Sequence, residues 1–261
     1  MPASGRGRLP SGPVLLALRV GVFLAALLLW HVLTAAGILD PFFFSRPIAV
    51  MQRVWHEFAG GGVWTDLRVT LTETMLAFAI GTMAGVVCGF WFARSPLVSA
   101  VLAPYLQVLN AMPRVVLAPI FALWLGLGIW SKVALGFTLV FFIVFFNVYQ
   151  GVKEVSPVIL ANARMLGMNE RQLVRHVYLP SALAWLFSSL HAAVGFALVG
   201  AVVGEYLGAS AGLGYRIAQA EGVFDTTGVF AGMVILAGFV IVIDAAMGIL
   251  ERRLLRWRPP A

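Results

Sequence analysis

Long apolar stretches alternate with short polar segments along the 261-residue chain. About 20 apolar residues are enough to cross the hydrocarbon core of a bilayer. Six stretches reach that length: Val14–Ala36, Leu67–Phe92, Val98–Leu123, Ser131–Gly151, Leu179–Gly204 and Thr227–Leu250. The pattern predicts an all-α membrane protein with six transmembrane helices, and residues 1–261 form a single transmembrane domain.

The polar segment between the fourth and fifth predicted spans carries several helix-boundary signals. Ser156 is a good N-cap, and Pro157 fits the first helical turn, where no intrahelical N–H bond is lost. Gly167 can adopt the left-handed conformation that ends a helix. Asn169, with Gln172 three positions later, is typical of a capping box at the start of a second helix. The signals predict a helix, a bend and a second helix.

This loop, about residues 152–178, is expected to end at Pro180, which would separate its second helix from the fifth span. The first helix, Val158–Leu166, is apolar apart from Asn162 and Arg164, yet it is far too short to cross a bilayer. An exposed apolar helix outside the membrane needs a partner to cover it. We therefore expect this helix to dock into a socket on another protein.

An amphipathic helix is predicted between the first two spans, at about residues 47–58. Its apolar face consists of Ile48, Met51, Val54, Trp55 and Phe58. A helix with one apolar face is typical of the membrane interface. Two roles remain open, namely anchoring of the second span and docking of a partner on the outside.

Composition and charge define the class of protein and its orientation. Hydrophobic residues make up 61% of the chain and charged residues 11%, whereas soluble domains carry about 25% charged residues. The net charge of +7 comes from basic residues in the loops and at the ends of the chain. We take these residues as indicators of how the chain is oriented in the lipid bilayer, and we expect no nucleic-acid partner. Cytoplasmic loops carry an excess of Lys and Arg. With both termini in the cytoplasm, the basic residues inside are Arg6, Arg8, Arg19, Arg94, Lys153, Arg164, Arg171, Arg175, Arg252, Arg253, Arg256 and Arg258, and those outside are Arg46, Arg53, Arg68, Lys132 and Arg216.

Few residues fit enzyme chemistry. Neither lysine follows a glycine, which excludes a G-x-x-x-x-G-K-[ST] phosphate loop, and Cys88 is the only cysteine. We expect no metal site and no cofactor on this chain. The segment Gly208–Gly212 fits G-x-S-x-G and raises an intramembrane serine protease as an alternative. That motif needs a strand-to-helix turn, and the nearest preceding histidine, His191, lies about five helical turns from Ser210.

Ionisable residues in the predicted spans are candidates for function, because charges in a bilayer are costly. Arg114 lies between Pro113 and Pro119 in the third span, and each proline leaves a carbonyl without its helical donor. Arg114 either faces a water-filled solute path or reaches the cytoplasmic interface. Glu73 and Asp244 lie within or at the edge of spans, where structural pairing explains them equally well.

These residues together resemble the permease subunits of ABC-type importers, and the nitrate/sulfonate/taurine type in particular. The similarity extends from Asp40 to Arg258. Gly167 and Leu179-Pro180 fall where the family's cytoplasmic signature, E-A-A…G…L-P, has its glycine and its L-P. Further matching segments are Met112-Pro113, Leu117–Pro119, Leu123–Gly128, Ser131-Lys132, Gly204-Glu205, Leu207–Ser210, Gly212–Tyr215 and Leu250–Arg253. Where the family has Glu-Ala-Ala, this chain has Ala161-Asn162-Ala163.

The resemblance implies a type I ABC importer permease fold in a bacterial inner membrane and a transport subunit that is not itself an enzyme. It implies two cytoplasmic ATP-binding subunits, a second copy of the permease, and an external binding protein that delivers a small, anionic, sulfonate- or nitrate-like solute. The residues expected to couple to the ATPase are Ala161, Asn162, Ala163, Arg164, Gly167, Leu179 and Pro180. Without the family's glutamate, docking is expected to rest on apolar packing plus Asn162 and Arg164. A passive channel, the rival hypothesis, would not need the apolar cytoplasmic helix.

Overall fold

The computed structural model describes the backbone of residues 12–254 and the side chains of residues 12–249. The described part is helical, with short connections. Its helices are α1 (Gly12–Ala35), α2 (Pro41–Phe44), α3 (Pro47–Ala59), α4 (Gly62–Arg94), α5 (Pro96–Ala111), α6 (Ala118–Leu125), α7 (Ile129–Lys153), α8 (Pro157–Met165), α9 (Glu170–Leu173), α10 (Leu179–Leu207), α11 (Leu213–Gly222) and α12 (Thr226–Leu254). A 3₁₀ turn, Arg114–Leu117, precedes α6, and a π-helical turn, Val174–Tyr178, precedes α10.

Five helical segments of this part are long and apolar enough to cross a membrane, and α5 with α6 makes a sixth span if the pair is counted as one. The predicted all-α fold with six spans is thus confirmed, with one correction. The third span, predicted as a continuous helix over Val98–Leu123, is broken and bends by 87° between α5 and α6. The break lies at Met112 and Pro113, because a proline cannot donate to the helical ladder and disfavours a helical conformation in the residue before it.

The centre of the bundle is formed by α4, α7 and α10, which approach closely because small residues face one another. A methyl group added at Gly81 or Gly85 of α4 would lie 2.8 Å from the Cβ of Val140 or Val144 on α7. Between α7 and α10, a methyl group at Gly200 would lie 2.4 Å from the Cα of Gly136. Such contacts let van der Waals packing replace the hydrophobic effect, which is weak between helices in lipid.

The remaining long helices lie at the periphery of this centre. The side chains of α1 are almost all exposed, as expected of a lipid-facing helix, and Trp30 of α1 stacks near Phe230 of α12 with ring centroids 5.4 Å apart. The predicted amphipathic helix is present as α3, whose Val50 is buried while Trp55 is 73% exposed. The predicted positions of Arg6, Arg8 and the basic side chains from Arg252 onward lie outside the described residues.

Candidate coupling loop and solute path

The bend after α8 has the geometry that the sequence predicts. Gly167 has φ +80°, a conformation that side chains disfavour and glycine tolerates. The Met168 N–H donates to the Ala163 carbonyl at 3.1 Å, and the Gly167 N–H donates to the Arg164 carbonyl at 2.9 Å. These two bonds form a Schellman motif, which satisfies the last carbonyls of α8. At the other end of α8, the Ser156 side chain makes no capping bond.

The second helix of the loop begins with the predicted capping box and then departs from the prediction. The Asn169 side chain accepts from the Gln172 N–H, and the Gln172 side chain accepts from the Asn169 N–H, both at 2.9 Å. From Glu170 the helix continues without interruption to Leu207. Pro180 therefore does not separate the loop helix from the fifth span. The π-helical turn Val174–Tyr178 directly precedes this proline, and a wider turn accommodates the missing N–H donor.

The structure brings most of the predicted coupling residues to the surface of the loop. Ala161, Asn162 and Arg164 are exposed on α8, whereas Ala163 is only 6% exposed and packs against the core. Leu179 and Pro180 are both exposed at the start of α10. The alternation follows from the helical period, because Leu160 and Ala163 share the inward side of α8.

Arg94, at the end of α4, connects the loop to the bundle, a role that no local sequence pattern indicates. Its Nη2 donates to Oε2 of Glu170 at 2.5 Å, and its guanidinium lies 4.6 Å from the centre of the Tyr178 ring. The other oxygen of Glu170 lies 3.5 Å from the guanidinium of Arg164. One carboxylate thus joins the ends of α4 and α8 at the start of α9.

The bend of the broken span carries the predicted path residues. Pro113 and Pro119 are exposed on either side of the 3₁₀ turn, and Arg114 is half-buried at its start. Arg114 Nη2 donates to the Asn110 side chain at 2.5 Å and to the Asn110 carbonyl at 3.1 Å. In the described part of the chain, no acidic side chain pairs with Arg114 and its buried Nε has no hydrogen-bond partner.

The depth of Arg114 in the bundle follows from its neighbour on α7. Its guanidinium lies 5.0 Å from the centre of the Phe142 ring, and Phe142 is close to the middle of the 25-residue helix α7. A residue at a membrane interface would lie beside one end of such a helix. The geometry therefore favours the mid-membrane position over the interfacial one.

A buried polar network lies at the end of the bundle opposite the loop, where the sequence singles out Glu73 as an ionisable residue within a span and Gly204-Glu205 as part of the family resemblance. Glu205 is fully buried and accepts from the Thr70 hydroxyl at 2.6 Å and from the Gly214 N–H at 2.7 Å. Asp66 accepts from the Gly212 N–H at 2.9 Å, and the Thr70 oxygen accepts from the Leu213 N–H at 3.0 Å. The network thus satisfies the free N–H groups at the start of α11.

Sequence spacing contained a signal for this network. Asp66, Thr70 and Glu73 recur at helical intervals on α4, so they share one face. The glycine at position 212 is explained by the same contact. A methyl group at Gly212, which has φ +115°, would lie 2.2 Å from the Glu205 carboxyl carbon. Only glycine lets the backbone approach that carboxylate so closely.

Lys132 lies beside this network and is only 1% exposed. Its ammonium donates to the carbonyls of Leu127 at 2.5 Å and Gly128 at 3.1 Å, which follow α6. Burial of a charge requires such partners. Lys132 therefore attaches the end of the broken span to the centre of the bundle.

The serine protease alternative finds no support in the geometry. Ser210 lies in the turn between α10 and α11, where no strand precedes it. The Nε2 of His191 instead contacts Oδ1 of Asp244 at 2.6 Å. A serine nucleophile requires a base within hydrogen-bond reach, and among the described residues no histidine bonds Ser210.

Comparison with known proteins agrees with this arrangement. Residues 81–256 match the family described as binding-protein-dependent transport system inner membrane component. The chain is 35% identical over 239 residues to the formylaminopyrimidine transport permease protein ThiX of Halalkalibacterium halodurans, covering 90% of this chain and 94% of that protein. It is 30% identical to the putative aliphatic sulfonates transport permease protein SsuC of Bacillus subtilis, covering 91% and 87%. It is 27% identical to the taurine transport system permease protein TauC of Escherichia coli, covering 92% and 89%.

Solved structures share the fold. An inward-facing structure of the MetNI methionine ABC transporter superposes with a TM-score of 0.57 at 20% identity, covering 76% of this chain and 95% of that chain. That likeness shows that the chain has the fold of a type I ABC importer permease. The chain therefore belongs to the binding-protein-dependent transport system inner membrane component family and is a multi-pass permease subunit of an ABC importer.

Proposed function

We propose that this permease moves a small anionic solute across a bacterial inner membrane, driven by ATP-binding subunits that dock on α8 and the bend after it. Both termini lie in the cytoplasm, the permease pairs with a second copy, and an external binding protein delivers the solute. The observation that carries this proposal is the loop itself. One side of α8 packs against the core and the Gly167 bend fixes its end, so the other, largely apolar side is exposed. An exposed apolar helix of this kind is suited to bind a cleft on another protein.

Arg114 supports an anionic solute. It lies at mid-depth at the bend between Pro113 and Pro119, and no acidic side chain of the described residues neutralises it. By contrast, the polar cavity of about 660 Å³ at the opposite end of the bundle is lined by charges that are already paired. There Arg216 binds Asp66 at 2.6 Å and also binds Glu57. A cation with unused donors in an apolar region is the group best placed to attract an anion.

The relatives narrow the choice of solutes to test. The relatives of this chain include permeases named for aliphatic sulfonates and taurine, and one named for formylaminopyrimidine. Sulfonates carry a full negative charge that a guanidinium can bind through two parallel hydrogen bonds. We therefore place sulfonates first among the candidate solutes.

The role of Arg114 is tested by uptake of labelled taurine and alkanesulfonates into vesicles that contain the complete transporter. Arg114→Ala is expected to abolish uptake. Arg114→Lys is expected to retain part of it, because the charge survives while the planar fork is lost. Both variants should still assemble with the ATP-binding subunit. Uptake by Arg114→Ala at the wild-type rate would contradict an anion-binding role.

A passive channel is the second candidate, and it makes an opposite prediction. A channel equilibrates its solute without ATP, whereas the proposed importer accumulates solute only while ATP is hydrolysed. Co-purification of the tagged permease with an ATP-binding subunit, followed by uptake with and without ATP, distinguishes the two.

A further inference from the structure

The surface of the loop carries an apolar patch that the bundle does not cover. We call it the docking face; its members are Val158, Ile159, Met165 and Leu166, with exposed fractions of 65%, 54%, 84% and 80%. The other side of α8 packs against the core through Leu160 and Ala163. The orientation of α8 is therefore fixed, and the apolar patch points away from the bundle. A contiguous exposed patch of this kind marks an interaction site.

The loop has two acidic residues: Glu154, which precedes α8 and accepts from the Gln150 side chain at 2.8 Å, and Glu170, which follows the bend. Glu170 accepts from Arg94 at 2.5 Å through one oxygen and lies 3.5 Å from Arg164 through the other. Both oxygens of the carboxylate thus face cations of the same chain. Glu170 therefore positions the loop, and its negative charge is offset by two arginines of the same chain.

The basic residues of the loop, Lys153, Arg164, Arg171 and Arg175, outnumber its two carboxylates. Arg171 and Arg175 are exposed and one helical turn apart, and neither pairs with an acidic side chain among the described residues. Arg171 follows Glu170 directly, and Glu170 contacts Arg164 at the end of α8. The loop that carries the docking face thus also presents two exposed arginines after its bend.

We propose that the docking face fits an ATP-binding subunit whose socket has an apolar floor and carboxylates at its rim, placed to receive Arg171 and Arg175. This inference rests on the proposed function and adds the charge of the partner surface to it. Charged groups at the border of an interface select partners, because a like charge opposite them opposes association. The permease would thereby distinguish its own ATP-binding subunit from one with a basic rim.

Whether added negative charge on the loop weakens or tightens binding of the ATP-binding subunit tests this inference. The ATP-binding subunit that co-purifies with the permease is titrated onto permease in lipid nanodiscs, and the dissociation constant is measured at low and high salt. Arg171→Glu/Arg175→Glu is expected to raise the dissociation constant by about tenfold or more, since rim charges oppose a like-charged partner. Ala161→Glu, which places one carboxylate among the exposed residues of α8, is expected to raise it as well. High salt should weaken the wild-type complex and leave Arg171→Gln/Arg175→Gln nearly unchanged.

Two control variants accompany these. Arg171→Lys/Arg175→Lys keeps the charge and should bind within a few-fold of the wild type, because exposed rim contacts depend on charge more than on shape. Arg46→Glu/Arg68→Glu reverses two exposed arginines at the opposite end of the bundle and should leave the dissociation constant unchanged.

The outcomes separate this inference from the proposed function. If no ATP-binding subunit binds the wild-type permease, the proposed function is wrong. If the subunit binds and Ala161→Glu tightens the complex, or the double reversal leaves it unchanged, the socket is not acidic and the inference is overturned. Unchanged binding of the subunit, together with weaker binding of the full-length double-reversal variant to anionic vesicles, would assign the arginines to lipid, and this also overturns the inference.

Discussion

Replacing Gly167 by valine isolates the bend of the coupling loop. Gly167 has φ +80°, and no heavy atom lies within 4 Å of the position that a new Cβ would occupy. The substitution therefore meets no steric obstacle, and its cost is conformational. A β-branched residue in the left-handed region costs on the order of 1–3 kcal/mol, which lowers the population of the bend by about 5- to 150-fold relative to the wild type.

The loss of the bend redirects the docking face and leaves the bundle intact. The Schellman bonds of Gly167 and Met168 hold the end of α8, whereas the packing of α4, α7 and α10 lies elsewhere. We expect Gly167→Val to insert and pair normally, and to lose solute-stimulated ATP hydrolysis and uptake in proteoliposomes that contain the complete transporter. Gly167→Asn should retain most activity, because asparagine tolerates the left-handed conformation.

Gly37 provides a matched control at the end of α1. It has φ +73° and no heavy atom within 4 Å of a new Cβ, so Gly37→Val introduces the same strain far from the docking face. We expect this variant to retain coupled ATP hydrolysis. Normal coupling by Gly167→Val, or equal losses in the two variants, would refute the role assigned to the bend.

Three further predictions concern the buried network and the topology. Glu205→Gln should lower the free energy of unfolding by about 1–3 kcal/mol, because the amide NH₂ group only donates and one of the two present donors, the Thr70 hydroxyl or the Gly214 N–H, loses its acceptor; unchanged stability would contradict the network. Lys132→Met should cost about 1–3 kcal/mol because it removes the hydrogen bonds of the ammonium to the Leu127 and Gly128 carbonyls, with Lys132→Arg as the control in the same unfolding assay and equal stability as the contrary result. A cysteine at Gln172 in a Cys88→Ser background should be labelled only from the cytoplasm and one at Gln219 only from outside, and reversed labelling would overturn the orientation.

Features that depend on local sequence were predictable. The spans follow from length and apolar composition, and the start of α9 follows from the Asn169 capping box, whose two bonds lie within four residues. The left-handed Gly167 was predictable for the same reason. Each of these depends on neighbours in the chain, which a sequence pattern displays directly.

Features that depend on distant neighbours were not predictable. Arg94 and Glu170 are 76 positions apart, and Thr70 and Glu205 are 135 positions apart. Only the packed bundle brings these groups together, so their spacing in the sequence carries no signal. The continuity of the helix through Pro180 was missed because proline is a helix breaker by local rules, and the preceding π-helical turn is a compensation that those rules do not include.

The 87° bend of the third span was predicted only in part. The sequence drew attention to Pro113, Arg114 and Pro119 as irregular, but it predicted a single stretch from Val98 to Leu123. Proline indicates where a helix is interrupted, and tertiary packing decides how far the two parts diverge. The position of Arg114 beside Phe142 was likewise decided by packing against α7.

The central claim is that this permease converts ATP hydrolysis on another chain into solute movement through its coupling loop. The most direct measurement follows labelled taurine in proteoliposomes containing the permease, its co-purified ATP-binding subunit and the cognate binding protein. The account predicts accumulation against a gradient that requires ATP and the binding protein, and that stops in Gly167→Val. Equilibration of the solute at the same rate without ATP would contradict it.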